Sequence, residues 1–104
     1  TKIIFINFIM KLIKIVPSSN KAKKYDAFFL QDSGREKKIS FGSKGMDDFT
    51  KTKNEEQKKR YLDRHRKNEN WNSPMTAGAL SRWILWYKPS LRESIADFKK
   101  RFNL

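Results

Sequence analysis

Residues 71–87 read WNSPMTAGALSRWILWY, and they decide the fold, because all three tryptophans of the chain fall within sixteen residues here. Ser73 or Thr76 can cap a helix, Pro74 suits a first turn, and Ala77, Ala79, Leu80 and Leu85 are good helix formers. Leu80, Trp83, Ile84 and Tyr87 recur at i, i+3, i+4 and i+7 and make one apolar stripe, with Trp86 beside it and Ser81 and Arg82 directed elsewhere. Such a face must meet a core. An aromatic side chain buries roughly 150–250 Å², so Trp83, Trp86 and Tyr87 are expected to supply much of that core. Structural tryptophan is preferred to a base-stacking or ligand role, since stripes at helical spacing usually pack inward.

Downstream, Lys88-Pro89-Ser90 breaks this helix and starts another. Ser90 and Glu93 have capping-box spacing, and Leu91, Ile95, Phe98 and Phe102 share one face. Lys99, Lys100 and Arg101 lie at its negative end, where the helix dipole alone accounts for them. Upstream, NENWN (68–72) is a polar connection. Before it, NEEQKKRYLDRHRK (54–67) is helical by propensity, with Asn54 as cap and Glu55 and Glu56 at the positive end of the dipole. Tyr61, Leu62 and His65 are its core contacts. Lys58, Lys59, Arg60, Arg64, Arg66 and Lys67 cover much of the remaining circumference, and Arg60, Arg64 and Lys67 share a face.

The first half of the chain has strand character. KLIKIV (11–16) ends at Pro17 and is followed by a polar, basic loop. YDAFFLQ (25–31), the turn Asp32-Ser33-Gly34-Arg35 and KKISF (37–41) form a hairpin signature, with Ile39 and Phe41 on a core side and Lys38 and Ser40 on a wet side. GSKG (42–45) lacks the spacing of a nucleotide-binding loop and reads as an ordinary sheet-to-helix turn. The fold expected is therefore α+β: a small antiparallel sheet of two to three strands, then two to three helices packed on it.

A chain of 104 residues suits one small domain, expected over residues 11–104, with residues 1–10 as an N-terminal extension. TKIIFINFIM (1–10) is apolar, but Lys11 and Lys14 interrupt the run short of the roughly twenty residues that span a bilayer, so no membrane span is expected. A signal peptide fits poorly, with a lone Lys2 as its positive end and no small-residue cleavage site before Pro17. The stretch resembles translation upstream of a start at Met10, with an ordinary N-terminal strand as the alternative.

Twenty-four Lys and Arg against eleven Asp and Glu give a net charge of +13, which steers polyanions to the surface. Lysines outnumber arginines 17 to 7, so point charges suited to phosphates prevail over the planar forks that read guanine edges. No cysteine is present, and the lone histidine, His65, makes no cluster. Asp47, Asp48, Glu55, Glu56 and Asp63 have no spacing that requires a metal. No catalytic constellation, cofactor or metal is expected, and the chain reads as a non-enzyme.

Three segments, FGSKGMDDFT (41–50), RYLDRH (60–65) and WNSPMTAGALSRWILW (71–86), resemble a family of small basic proteins of unknown function encoded by large DNA viruses of algae and amoebae, over roughly residues 23–102. The resemblance implies a viral protein working in the cytoplasm or nucleus of an infected cell or packaged in a virion. It carries no activity and no catalytic residues.

Two functions are weighed. The first is non-catalytic, sequence-nonspecific nucleic-acid binding in genome handling or packaging, with Lys58, Lys59, Arg60, Arg64, Arg66 and Lys67 on phosphates. Six such contacts would cost roughly 10³ or more in affinity between 50 and 200 mM salt. The alternative is a virion or assembly component that binds an acidic protein, anchored by Trp71, which lies in the polar connector and off the helical stripe. A third route, weaker than either, is membrane-surface attachment through residues 3–10 and the lysines.

Overall fold

In the computed structural model the described residues are 10–104. The readings of the N-terminal extension, as upstream translation, strand or membrane attachment, fall on residues 1–9 and lie outside them. Three strands, β1 (Lys11–Pro17), β2 (Lys23–Leu30) and β3 (Glu36–Ser43), form an antiparallel meander in the order β1-β2-β3. Helices α1 (Phe49–Thr52), α2 (Glu55–His65), α3 (Ala77–Leu80) and α4 (Leu91–Arg101) follow, and α3 continues directly into a π-helical turn, Ser81–Leu85. The α+β fold expected from the sequence is the one observed. No helix among the described residues is long and apolar enough to cross a membrane.

Register explains which side of the sheet is buried. Leu12 pairs with Phe29 and Ile15 with Ala27, and a bulge between Leu12 and Lys14 lets both apolar residues face the core. Without the bulge, Leu12 and Lys14 would share a face. Instead Lys14 lies on the outer side, 4.8 Å above the Phe28 ring. Phe41 pairs with Tyr25 and Ile39 with Ala27, so the core side of the hairpin is the expected one. On the wet side Asp26 pairs with Ser40.

The tryptophan helix differs from its expected form. Thr76 is the cap, accepting from Ala79 N at 3.2 Å, and Pro74 lies in the turn before the helix. The helix ends at Leu85, and Trp86 N–H reaches back five residues to Ser81 O at 3.0 Å. This wider turn shifts the inward face by one residue. Leu80, Ile84, Leu85 and Trp86 are buried, whereas Trp83 and Tyr87, expected to be core, are half-buried. Gly42 of β3 permits the fit: a Cβ there would come within 2.9 Å of Leu85 Cδ1, and its φ of +79° disfavours other residues.

The remaining helices follow their local signals. Asn54 caps α2 by accepting from Gln57 N at 3.0 Å, and Ser90 caps α4 by accepting from Glu93 N at 3.2 Å. Phe98 of α4 is buried, with Leu91, Ile95 and Phe102 packed around it. Asp48 caps α1 through Thr50 N and is ion-paired with Lys24 of β2, which ties the loop after β3 to the sheet.

Candidate nucleic-acid interface

The inward face of α2 is set by Tyr61, which is buried and stacks on Trp86 at 4.4 Å between ring centroids, almost parallel. On its other side Tyr61 stacks on His65 at 4.1 Å. Burial pushes the Tyr61 hydroxyl well above the usual phenol range, so it stays protonated. With this column inward, a helix of 3.6 residues per turn must turn its other side to solvent. Lys59, Arg60 and Arg64 are exposed there, and Arg66 and Lys67, in the turn that ends the helix two residues earlier than its sequence suggests, are exposed as well. Lys59 is ion-paired with Asp63 at 3.3 Å, and the other four have no carboxylate within ion-pair distance among the described residues.

Lys58 stands apart from this set. Its ammonium donates to Tyr87 O at 2.7 Å, 4.8 Å from the Phe49 ring centroid. It fastens α2 to the chain just beyond the π turn. Five of the six expected cations are therefore presented together, and the sixth serves the fold.

Trp71 is half-buried. Its indole N–H donates to Glu69 Oε1 at 2.9 Å, its carbonyl accepts from Trp83 Nε1 at 2.8 Å, and the Arg82 guanidinium lies 5.3 Å from its ring. Arg82 also lies 4.1 Å from the Trp83 ring, which Arg101 approaches to 3.6 Å. Burial, and then the Arg101 charge, lower the Arg82 pKa. Arg82, expected off the stripe, thus holds Trp71 and Trp83 together and donates to Trp86 O at 2.9 Å.

A cleft of about 270 Å³ opens beside the basic face, between β3, the residues before α1, α2 and the tryptophan helix. Its lining includes Lys23, Asp47, Arg64, His65, Ser81 and Trp86. Arg64 belongs to both the cleft and the basic face. His65 Nδ1 donates to Glu69 Oε2 at 2.6 Å, because a carboxylate can only accept. Glu69 reaches this position because residue 78 is glycine: a Cβ there would sit 3.1 Å from its carboxylate. Sequence reasoning missed the cleft, whose walls are scattered between residues 23 and 86. The one available signal was His65 and Glu69 four residues apart.

Among the described residues no group of three or more His, Asp or Glu side chains could hold a metal ion. Comparison with known proteins adds a family. A model described as a family of unknown function, DUF5754, matches residues 13–65, about half of the chain. No curated protein and no solved structure matches. The matched segment runs from β1 to the end of α2 and so includes Arg60 and Arg64.

Proposed function

The chain belongs to the DUF5754 family of unknown function, so its activity must be argued from its own geometry, and we propose that it is a non-catalytic, sequence-nonspecific nucleic-acid-binding protein. The observation that carries this reading is the outer face of α2 together with the turn that follows it. Arg60, Arg64, Arg66 and Lys67 stand exposed and without ion-pair partners among the described residues, beside Lys59, in a chain of net charge +13. An ordinary solvated helix pairs its cations with acids at i±4; here Glu56 lies four residues before Arg60 and Asp63 four before Lys67, yet of these cations only Lys59 forms such a pair among the described residues, with Asp63. Phosphates are the complementary partner of such a row. The resemblance to small basic proteins of large DNA viruses supports genome handling or packaging as the setting, in the infected cell or the virion.

Five contacts predict a log–log salt slope of about −4.5 on duplex DNA, a loss on the order of 500-fold between 50 and 200 mM salt. The experiment is a filter or anisotropy titration of duplex DNA, single-stranded DNA and RNA over that range, with wild type and Arg60→Glu/Arg64→Glu. The double variant should weaken every sequence alike. Equal binding by wild type and double variant would reject the α2 face as the interface.

A further inference from the structure

We infer that the cleft beside α2 binds a single nucleotide unit, either a free nucleoside monophosphate or one residue of an unpaired strand. The unpaired-strand form rests on the nucleic-acid reading; the ligand chemistry rests on the cleft alone.

Charge accounting sets the class. Of the cleft's ionic groups, Lys24 is ion-paired with Asp48, and Glu69 is engaged by His65 and Trp71. Lys23, Arg64 and Asp47 have no ion-pair partner among the described residues, and the two cations suit a phosphate and refuse a purely apolar ligand. The volume of about 270 Å³ lies near the lower end of small-ligand sites, roughly 300–1,000 Å³. It admits one nucleotide and no duplex.

The wall supplies the rest. Trp86, Tyr61 and His65 form a column of three stacked rings, held at one end by the core and at the other by Glu69. Tyr61 is covered on both faces and Trp86 is buried, so a planar, heteroatom-rich base meets the half-exposed His65 ring and its Nε2, the ring nitrogen that Glu69 leaves over. The Glu69 brace fixes the imidazole in place, which lowers the ordering cost of binding.

The test is a tryptophan-fluorescence titration of the full chain, since Trp86 lines the cleft. The probes are nucleoside 5′-monophosphates, the matching nucleosides, inorganic phosphate, oligo-dT and a duplex. Saturable binding of a monophosphate is expected, with nucleoside and phosphate each at least about tenfold weaker. Lys23→Ala and His65→Ala should each weaken it by about tenfold, the size of one charge-assisted hydrogen bond, whereas Arg92→Ala on the exposed side of α4 should not. If His65→Ala fails to fold, Lys23→Ala carries the test.

Competition by oligo-dT would identify the ligand as a strand residue, and its absence a free mononucleotide; both support the cleft. No saturable binding, or binding unchanged by Lys23→Ala, overturns it. Steeply salt-dependent strand binding without monophosphate binding would reject the cleft and keep the α2 face. Monophosphate binding without strand binding would do the reverse.

Discussion

Asp26 lies on the wet side of the sheet yet is only 2% exposed, because the turn after β1 folds over it. Its cover is local. Ser18 Oγ and Ser40 Oγ each donate to its carboxylate at 2.6 Å, and Ser19 N donates at 3.2 Å. These bonds, Ser18's first, lower its pKa from 3.8 to about 2. A carboxyl depressed on folding stabilises the protein above its unfolded pKa and loses that contribution as pH falls through the folded one. Urea unfolding should therefore show stability falling between about pH 4 and pH 2, and Asp26→Asn should flatten that dependence. Lys58 supplies a second prediction at this scale. Lys58→Ala should cost about 1–2 kcal/mol of unfolding free energy, through the lost bond to Tyr87 O and the lost contact with Phe49. A value near zero by urea titration would show that α2 is fastened otherwise.

The elements that were legible in the sequence are those decided by neighbours a few residues apart. Asn54, Thr76 and Ser90 cap their helices, and the 25–41 hairpin folds about its turn, because the groups that satisfy each signal lie within the same segment. The end of the tryptophan helix was not legible. An i, i+4 periodicity assumes an unbroken α-helix, whereas the π turn at Ser81–Leu85 brings Trp86 under Tyr61 and leaves Trp83 to the arginines. The cause is tertiary: Gly42 lets β3 approach Leu85 closely, and Tyr61 provides a ring for Trp86. Gly42→Ala should therefore destabilise by about 1–3 kcal/mol, through strain at positive φ and the clash with Leu85. Chemical denaturation would measure it, and a neutral result would mean that the sheet and the π turn can separate at little cost.

Across the whole molecule the charge is sorted in a way that composition could not indicate. Lys24 and Lys88 are spent on Asp48 and Asp97, and Lys58 on a backbone carbonyl. Arg60 and Arg64 of α2 have no carboxylate within ion-pair distance among the described residues, and Tyr61 and His65 fix the helix's inward side. The Arg60 and Arg64 part of the cationic row could be read from their spacing, since one helix carries both, whereas α2 ends at His65 and leaves Lys67 to the turn beyond it. The withdrawal of Lys58 could not, because its acceptor is 29 residues away. Nor could the cleft, which needs β2, β3, α2 and the tryptophan helix in place.

The most direct test of nucleic-acid binding is the salt slope itself, measured on duplex DNA, single-stranded DNA and RNA, with heparin as a charge control. A slope of about −4.5 on duplex DNA and about −3.5 on single strands, flattened by Arg60→Glu/Arg64→Glu, together with tighter binding to one nucleic acid than to heparin, is the predicted result. Salt-independent binding, or binding no tighter than to heparin, would contradict it and direct the search to an acidic protein partner.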